Sequence, residues 1–176
     1  MSDSAITRTF TDLRARGATA LVPYLTAGYP DPRASGEALR IADELADVLE
    51  VGVPFSDPLA DGPTIQRSTF QALQQGMTLA GTLELIERCR LQRPVVVFSY
   101  LNPILRYGLD RFLADAQGIG FAGLLLTDLP AASRSGRVVG AISRIRSSAL
   151  RWTASSTAGS LPAGRSVSSR PAMPMP

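Results

Sequence analysis

Four short apolar segments alternate with amphipathic helical segments over residues 18–126, and this repeat constrains the fold more than any other feature of the chain. The apolar segments are Ala18–Leu25, Asp47–Val53, Pro94–Leu101 and Phe121–Leu126. They are apolar at successive positions rather than alternate ones, which is typical of parallel strands buried on both faces. The sequence therefore predicts an α/β fold with a parallel sheet covered by helices. The pattern alone leaves a closed barrel and an open sheet as alternatives.

Helical spacing of apolar residues fills the segments around these strands. It predicts helices over Ile6–Arg16, Asp31–Ala46, Thr64–Gln75, Leu79–Leu91 and Leu109–Gln117. A turn is expected at Asn102-Pro103, because proline disfavours the helical conformation in the residue before it.

The charges divide the chain into two parts. Residues 1–130 carry 11 arginines and all 15 acidic residues, whereas residues 131–176 carry seven arginines and no acidic residue. Eleven of the 46 residues in the second part are serine. Apart from a short strand or helical turn at Val138–Ile145, such a segment cannot bury enough apolar surface to offset the entropy of ordering it. We therefore expect one folded domain at 1–130 and a disordered low-complexity tail at 131–176.

Composition excludes several chemistries. The chain has no histidine and no lysine, which excludes the usual serine and cysteine triads and the phosphate-binding loop that requires lysine. Its one cysteine, Cys89, excludes an internal disulfide and is expected to be buried packing. The motif G-x-G-x-x-G at Gly118–Gly123 follows a helix and opens a strand, the reverse of the dinucleotide-binding context, so we interpret it as a helix stop. No apolar run is long enough for a membrane span, and charges at Asp3, Arg8 and Asp12 argue against a signal peptide.

Glu50 is the most informative candidate for chemistry. It interrupts the strand VLEVGV, where an unpaired carboxylate costs several kcal/mol to desolvate. Strand alternation places it on one face with Gly52, which we expect to leave space beside the carboxyl group. A buried carboxyl with a perturbed pKa is typical of a catalytic acid or base, and an ion pair with an arginine on a covering helix is the alternative.

Polar residues follow the predicted strands, at the edge where parallel α/β folds bind ligands. Asp57 and Asp61 lie in the loop after the second strand, and either one is a possible partner for Glu50 in dividing the roles of general acid and base. The alternative for each is a turn residue or a helix N-cap. Tyr24 and Tyr100 end apolar strands and either line a cavity or place a hydroxyl in water.

The run from Leu49 to Gln66, LEVGVPFSDPLADGPTIQ, closely resembles the signature of the tryptophan synthase α-subunit family. Three further segments are similar to the same family in the same order: VPYLTAGYP at 22–30, SYLNP at 99–103 and TDLP at 127–130. The resemblance covers roughly residues 5–130. It implies a TIM (β/α)8-type barrel that cleaves indole-3-glycerol phosphate to indole and glyceraldehyde 3-phosphate, a lyase step in L-tryptophan biosynthesis.

The resemblance also implies roles for individual residues. Glu50 matches the acid/base that delivers a proton to the indole ring carbon, and Asp61 matches its partner at the indole nitrogen. Asp57 matches a loop residue that communicates with the β subunit. The positions that line the indole pocket are Tyr24, Phe98, Tyr100, Leu125 and Thr127. The family implies a cytoplasmic enzyme with no cofactor of its own and no metal, whose partner is a β subunit that holds pyridoxal phosphate; neither nucleic acid nor membrane is an expected partner.

The chain departs from the family after residue 130. A complete barrel has eight strands and about 250 residues, whereas four strands are predicted here. Nothing in residues 131–176 resembles the family's mobile lid or its phosphate cradle. We therefore expect an incomplete barrel that is inactive alone, and a fragment that at most docks a β subunit is the alternative function.

Two hypotheses account for the tail. The abrupt loss of acidic residues suggests a shifted reading frame. Nucleic-acid binding by the seven arginines is the other, but Trp152 alone among aromatic residues is available there for base stacking.

Overall fold

A computed structural model describes residues 4–58, 61–128 and 151–154. The segment Val138–Ile145, where a short element is expected, lies outside them. Within the described residues the strands form one five-stranded sheet: β1 (Tyr24–Thr26), β2 (Leu49–Gly52), β3 (Val95–Ser99), β4 (Gly123–Leu126) and β5 (Arg151–Ala154). The helices are α1 (Ala5–Ala15), α2 (Pro32–Leu45), α3 (Pro63–Gln74), α4 (Leu79–Cys89), α5 (Leu101–Tyr107) and α6 (Leu109–Ile119).

All five strands are parallel and lie in chain order, from β1 at one edge to β5 at the other. A doubly wound sheet reverses its strand order at a switch point, whereas a (β/α) barrel adds each strand beside the previous one. The observed order therefore favours the barrel type over the open doubly wound sheet. It also brings the carboxyl ends of the strands, and the loops that follow them, to the same edge.

The sheet has two different faces, which we call outer and inner. On the outer face, Leu49, Val51, Val97, Leu124 and Leu126 are at most 1% exposed. They share one apolar cluster with residues of the covering helices, including Leu39, Leu83, Ile86, Phe112 and Ala116. This cluster is the hydrophobic core of the described part of the chain.

The inner face carries the alternate positions of the same strands. Pairing aligns Tyr24 with Glu50 and Glu50 with Val96 in one row. The next row aligns Gly52 with Phe98 and Phe98 with Leu125. Glu50, Val96, Phe98 and Leu125 are all partly exposed. Beside Val96, helix α1 and strand β4 line a cavity of about 380 Å³.

Side-chain caps define where three helices begin. Ser4 Oγ accepts from Thr7 N at the start of α1, Asp31 caps α2 in the same way, and Thr78 caps α4. Pro32 and Pro63 occupy first-turn positions, where their missing N–H groups cost nothing. No helix in the described part of the chain is long and apolar enough to cross a membrane.

Three elements differ from the sequence-based expectation. Strand β1 has three residues instead of the eight expected at 18–25, because only Tyr24–Thr26 pairs with β2. The predicted turn at Asn102-Pro103 is helix α5, in which Pro103 falls in the first turn and breaks no hydrogen bond. Strand β5 adds a fifth strand within the segment expected to be disordered; its sequence Arg-Trp-Thr-Ala includes two residue types that favour strands, and it pairs with the free edge of β4.

Candidate functional site

Glu50 lies on the inner face of β2, as strand alternation predicts. Its neighbours Leu49 and Val51 are completely buried on the outer face, whereas Glu50 is partly exposed. Burial raises the pKa of the Glu50 carboxyl above its ordinary value. No ion pair between Glu50 and an arginine occurs in the described part of the chain, where the ion pairs are Arg33–Glu37 and Arg111–Asp115. The alternative interpretation of Glu50, an ion pair with an arginine on a covering helix, therefore finds no support in the described residues.

Tyr24 fills the space that Gly52 was expected to leave beside Glu50. A Cβ atom at position 52 would overlap the Tyr24 hydroxyl, so only glycine fits there while the ring keeps its place. The ring contacts Phe98 edge to face, with the centroids 5.8 Å apart and the planes at 88°. The expectation of free space is wrong, because the side chain from the neighbouring strand occupies it.

The Tyr24 hydroxyl lies close enough to both candidate carboxyls for their charges to affect its pKa. The pKa of Tyr24 is raised to about 12 overall: burial has the largest effect, a hydrogen bond with Thr26 lowers the pKa, and the charges of Asp61 and Glu50 raise it. Tyr24 is therefore neutral at ordinary pH and presents a hydroxyl to the region between strand β2 and the following loop.

Of the two acidic residues in the loop after β2, Asp61 is the one that lies near Tyr24 and Tyr100. Its carboxyl accepts a hydrogen bond from Tyr100, which lowers the Asp61 pKa, but burial has the larger effect and the pKa is raised overall. The N-cap of α3 is Gly62, with no side-chain hydrogen bond. Asp61 is therefore not the N-cap of α3, one of its two alternatives, and its carboxyl lies close enough to Tyr24 to raise the pKa of that hydroxyl.

Asp57 does not join this group. It is exposed, and its carboxylate accepts a hydrogen bond of 2.8 Å from the hydroxyl of the adjacent Ser56. The structure thus separates the two loop acids, which sequence reasoning from spacing alone left equivalent.

The other positions that the resemblance assigns to an indole pocket lie on or directly after strands β3 and β4. Phe98 and Leu125 are paired neighbours on the inner face. Tyr100 is 4% exposed, and its ring packs on Phe55 with 5.0 Å between centroids. The Thr127 hydroxyl is buried and makes no hydrogen bond within the part of the chain that the structure describes. A buried hydroxyl without a protein partner is available to a ligand.

The structure shows two contacts at the carboxyl edge of the sheet that the sequence did not predict. Thr26 and Ser68 share a hydrogen bond of 2.7 Å, which ties β1 to α3 just after Asp61. Asp128 Oδ1 accepts a hydrogen bond of 2.8 Å from Leu101 N. Thr26 ends β1 and Asp128 follows β4, so their place in the sequence predicts a position at this edge, but no sequence signal identifies their partners.

Two other predictions agree with the structure. Cys89 is buried, and its Sγ lies 3.7 Å from the carbonyl oxygen of Gly36. Gly120 ends α6 in the left-handed conformation and Gly123 begins β4, so the glycine motif is a helix stop followed by a strand. The described residues include no group of three or more His, Cys, Asp or Glu side chains suited to a metal ion.

The sequence model of one protein family, described as "Tryptophan synthase alpha chain", matches residues 10–160. The chain belongs to this family. A tryptophan synthase alpha chain of Geobacter sulfurreducens is 50% identical over 131 residues, which are 72% of this chain and 49% of the relative. That of Microcystis aeruginosa is 44% identical over 130 residues, again 72% of this chain and 49% of the relative.

Solved structures agree with the family. Tryptophan synthase from M. tuberculosis, in the open form with BRD0059 bound, aligns with a TM-score of 0.78 and 37% identity over 86% of this chain and 60% of that chain. The tryptophan synthase subunit alpha of Legionella pneumophila aligns with a TM-score of 0.74 and 35% identity, over 86% of this chain and 58% of its own. The α/β pattern is thus that of an incomplete TIM barrel.

The matches differ in how far they extend. The chain spans about half the length of the curated relatives it matches. Those relatives align over 130 or 131 residues, whereas the family model reaches residue 160. The β5 segment therefore lies inside the range of the family model.

Proposed function

We propose that Glu50 and Asp61 are the acid–base pair for aldol cleavage of indole-3-glycerol phosphate to indole and glyceraldehyde 3-phosphate. One observation carries the proposal: two carboxyls with raised pKa values, one on strand β2 and one on the loop after it, lie around the Tyr24 hydroxyl at the carboxyl edge of the sheet. Family membership supplies the reaction that this arrangement fits.

The chemistry follows from the different environments of the two carboxyls. Glu50, with its pKa raised by burial, holds a proton more readily than an exposed glutamate and delivers it to C3 of the indole ring. Asp61 keeps more of its charge because Tyr100 donates to it, and that charge stabilises the N–H of the protonated indole. The bond between C3 and the glycerol carbon then breaks, and its electron pair returns to the ring to give indole. The glycerol hydroxyl gives its proton to the Glu50 carboxylate and becomes the aldehyde of glyceraldehyde 3-phosphate, which restores the protonated Glu50.

The side chains near Glu50 suit an indole ring by their chemistry. Tyr24, Phe98, Tyr100 and Leu125 supply aromatic and aliphatic surface on the inner face, and the partly exposed Phe98 and Leu125 have room for a ligand against them. The buried Thr127 hydroxyl, which has no hydrogen-bond partner among the described residues, provides a polar contact at the rim. We assign Thr127 to substrate binding on this basis.

We propose that this chain alone does not turn over. It spans about half of its curated relatives, so the remainder of a barrel is needed to enclose the substrate. We further propose that the site works without a cofactor of its own, that pyridoxal phosphate belongs to a β subunit, and that the enzyme acts in the cytoplasm.

A chimera tests the catalytic proposal. Residues 1–128 are joined to the C-terminal remainder of the Geobacter sulfurreducens relative, and release of indole is measured. We expect turnover by the chimera and a loss of about 10²–10⁴-fold in Glu50→Gln and Asp61→Asn.

Glu37→Gln is the matched control, because Glu37 lies in an exposed pair with Arg33 on the outer helix α2. A Glu50→Gln chimera as fast as the control would contradict the assignment. Clear release of indole by the 176-residue chain itself would contradict its inactivity alone.

A specific surface favours a second candidate function, docking of a β subunit. Beside Asp57, a groove of about 550 Å³ is lined by Phe55, Ser56, Pro58 and Phe70, and Phe70 is 63% exposed. Exposed aromatic surface next to a loop is typical of an interaction site. Because this groove is separate from the Glu50 pocket, docking does not require catalysis.

Co-purification with a β subunit tests docking. We expect Phe70→Ser to weaken the complex by at least about tenfold, as loss of an aromatic anchor does. Ile41→Ser is the matched control, since Ile41 on α2 is equally exposed at 61% but is not part of the groove. Equal weakening by the two variants would contradict a site at the groove.

We also propose that the unusual composition after residue 130 results from a shifted reading frame. The limit of 130 or 131 aligned residues in the curated relatives supports it. Genomic DNA across codons 125–140 tests it: a single-base shift should restore a family-like continuation, and its absence would contradict the proposal.

A further inference from the structure

Tyr100 connects three parts of the site. Its ring is almost completely buried and packs on Phe55, in the loop that leads from β2 to Asp61. Its side chain also hydrogen-bonds the Asp61 carboxyl. Tyr100 thus holds that loop at two points, through the ring and through the hydroxyl.

The position of Tyr100 depends on the start of helix α5. Tyr100 is the N-cap residue of α5, but its own side chain makes no capping hydrogen bond. Asp128, which follows β4, supplies the missing acceptor: its Oδ1 lies 2.8 Å from the backbone N of Leu101, the first residue of the helix. A carboxylate accepting from the first turn of a helix satisfies a free N–H group and interacts favourably with the helix dipole.

We propose that Asp128 is a positioning residue for Asp61, acting through the start of α5 and Tyr100. Asp128 fixes Leu101 N, which fixes the backbone of the adjacent Tyr100, and the Tyr100 hydroxyl then orients the Asp61 carboxyl. The catalytic significance of this connection rests on the proposed function, but the connection itself does not. The role goes beyond the pocket-lining position that the family implies for Tyr100.

The chemical consequence concerns the charge of Asp61. The hydrogen bond from Tyr100 stabilises the carboxylate, whereas burial opposes it. Among the described residues, Tyr24 on β1 is a further titratable group near Asp61, since the charges of Asp61 and Glu50 both raise the pKa of Tyr24. If Tyr100 is displaced, the hydrogen bond that lowers the pKa of Asp61 is lost while burial still raises it. We therefore expect a higher pKa of Asp61.

The test is a carboxyl ¹³C NMR titration of Asp61 in the full chain. We expect Tyr100→Phe, which keeps the ring on Phe55, to raise the Asp61 pKa because the hydroxyl is lost. Asp128→Ala should raise it in the same direction and by at least about half as much. Asp128→Asn keeps an acceptor oxygen for Leu101 N, so it should leave the Asp61 pKa close to that of the unmodified chain.

The chain offers a matched control for Asp128. Asp43 makes the same kind of contact at a different place, accepting from Gln92 N at 3.0 Å and Arg93 N at 2.8 Å. Asp43→Ala removes a bond from a carboxylate to backbone without touching the site. We expect it to leave the Asp61 pKa unchanged.

Two results would overturn the proposal. One is an Asp61 pKa that rises in Tyr100→Phe but does not move in Asp128→Ala, or in Asp128→Ser if the alanine variant is unfolded. The other is unfolding of both Asp128 variants, because Asp128 would then be required for the fold rather than for Asp61. The titration uses no substrate, so a chimera that released no indole would contradict the proposed function without contradicting the positioning role of Asp128. An unchanged Asp61 pKa in Asp128→Ala would contradict the positioning role alone.

Discussion

The outer and inner faces of the sheet are built from alternate residues of the same strands, yet they differ in almost every property. On β4, Leu124 is 1% exposed among the helices, whereas the adjacent Leu125 is partly exposed on the inner face. On β2, the buried Leu49 and Val51 flank the partly exposed Glu50. Helices α2, α4 and α6 bury the outer face in the hydrophobic core, whereas the inner face, beside which α1 lines a cavity, keeps partly exposed side chains and a carboxyl.

The largest expected difference lies between two neighbouring leucines. Leu124→Ala removes fully buried methyl groups from the core and should lower the free energy of unfolding by about 2–5 kcal/mol. Leu125→Ala should cost less than half as much, because the inner face already leaves Leu125 partly in contact with water. Urea unfolding of both variants measures the difference, and equal losses would contradict the assignment of the two faces.

Gly52→Ala tests whether Tyr24 fixes the inner face. The added methyl group overlaps the Tyr24 hydroxyl, so we expect a loss of about 1–3 kcal/mol in the free energy of unfolding. In a Tyr24→Ala background the same substitution should cost little. Gly118→Ala in helix α6 is the control, since its added Cβ lies more than 4 Å from every described atom outside its chain neighbours and the adjacent backbone of its own helix. A full loss in the Tyr24→Ala background would refute the contact.

Thr26→Val probes the hydrogen bond that links β1 to α3. It removes the hydroxyl that pairs with Ser68 at 2.7 Å while keeping the shape of the side chain. We expect a loss of about 0.5–1.5 kcal/mol by urea unfolding. Thr26→Ser, which retains the hydroxyl, is the conservative comparison; if it destabilises as much as valine does, the hydrogen bond is not the cause.

The smallest expected effect is a change in how stability depends on pH. Because the folded-state pKa of Glu50 is raised by burial, the folded chain holds this proton more tightly than the unfolded chain does. The stability from this group is therefore fully present below the unfolded pKa and is lost as pH rises through the folded pKa. Glu50→Gln should remove that loss, so that its free energy of unfolding falls less between acid and neutral pH than that of the unmodified chain. If the free energies of unfolding of Glu50→Gln and of the unmodified chain changed equally with pH, folding would not raise the pKa of Glu50.

Much of the fold was predictable because apolar runs and helical spacing reflect burial directly. The segment Asp47–Val53 contains β2, and Glu50 stood out within it because a carboxyl is unexpected in a buried strand. The barrel type was not predictable from periodicity, since strand order is set by contacts between distant residues. Helix α5 was missed because Pro103 suggests a turn unless it falls in the first helical turn.

The site was predictable in its residues but not in its contacts. Asp57 and Asp61 are four positions apart in one loop, and spacing could not separate them; the hydrogen bond from Tyr100 to Asp61 does. The closeness of Tyr24 to Gly52 was equally hidden, because it depends on the pairing register of β1 with β2. Residues that act through a neighbour, such as Asp128, carry no local signal beyond their place after a strand.

The central claim is that Glu50 transfers a proton to the indole ring on the inner face of the sheet. The most direct test is exchange of the C3 proton of indole with D₂O, followed by ¹H NMR in the presence of the chimera described above. Our account predicts exchange faster than in buffer alone, and a return to the buffer rate in Glu50→Gln but not in Glu37→Gln. Exchange in the Glu50→Gln chimera at the rate of the unmodified chimera would contradict the claim.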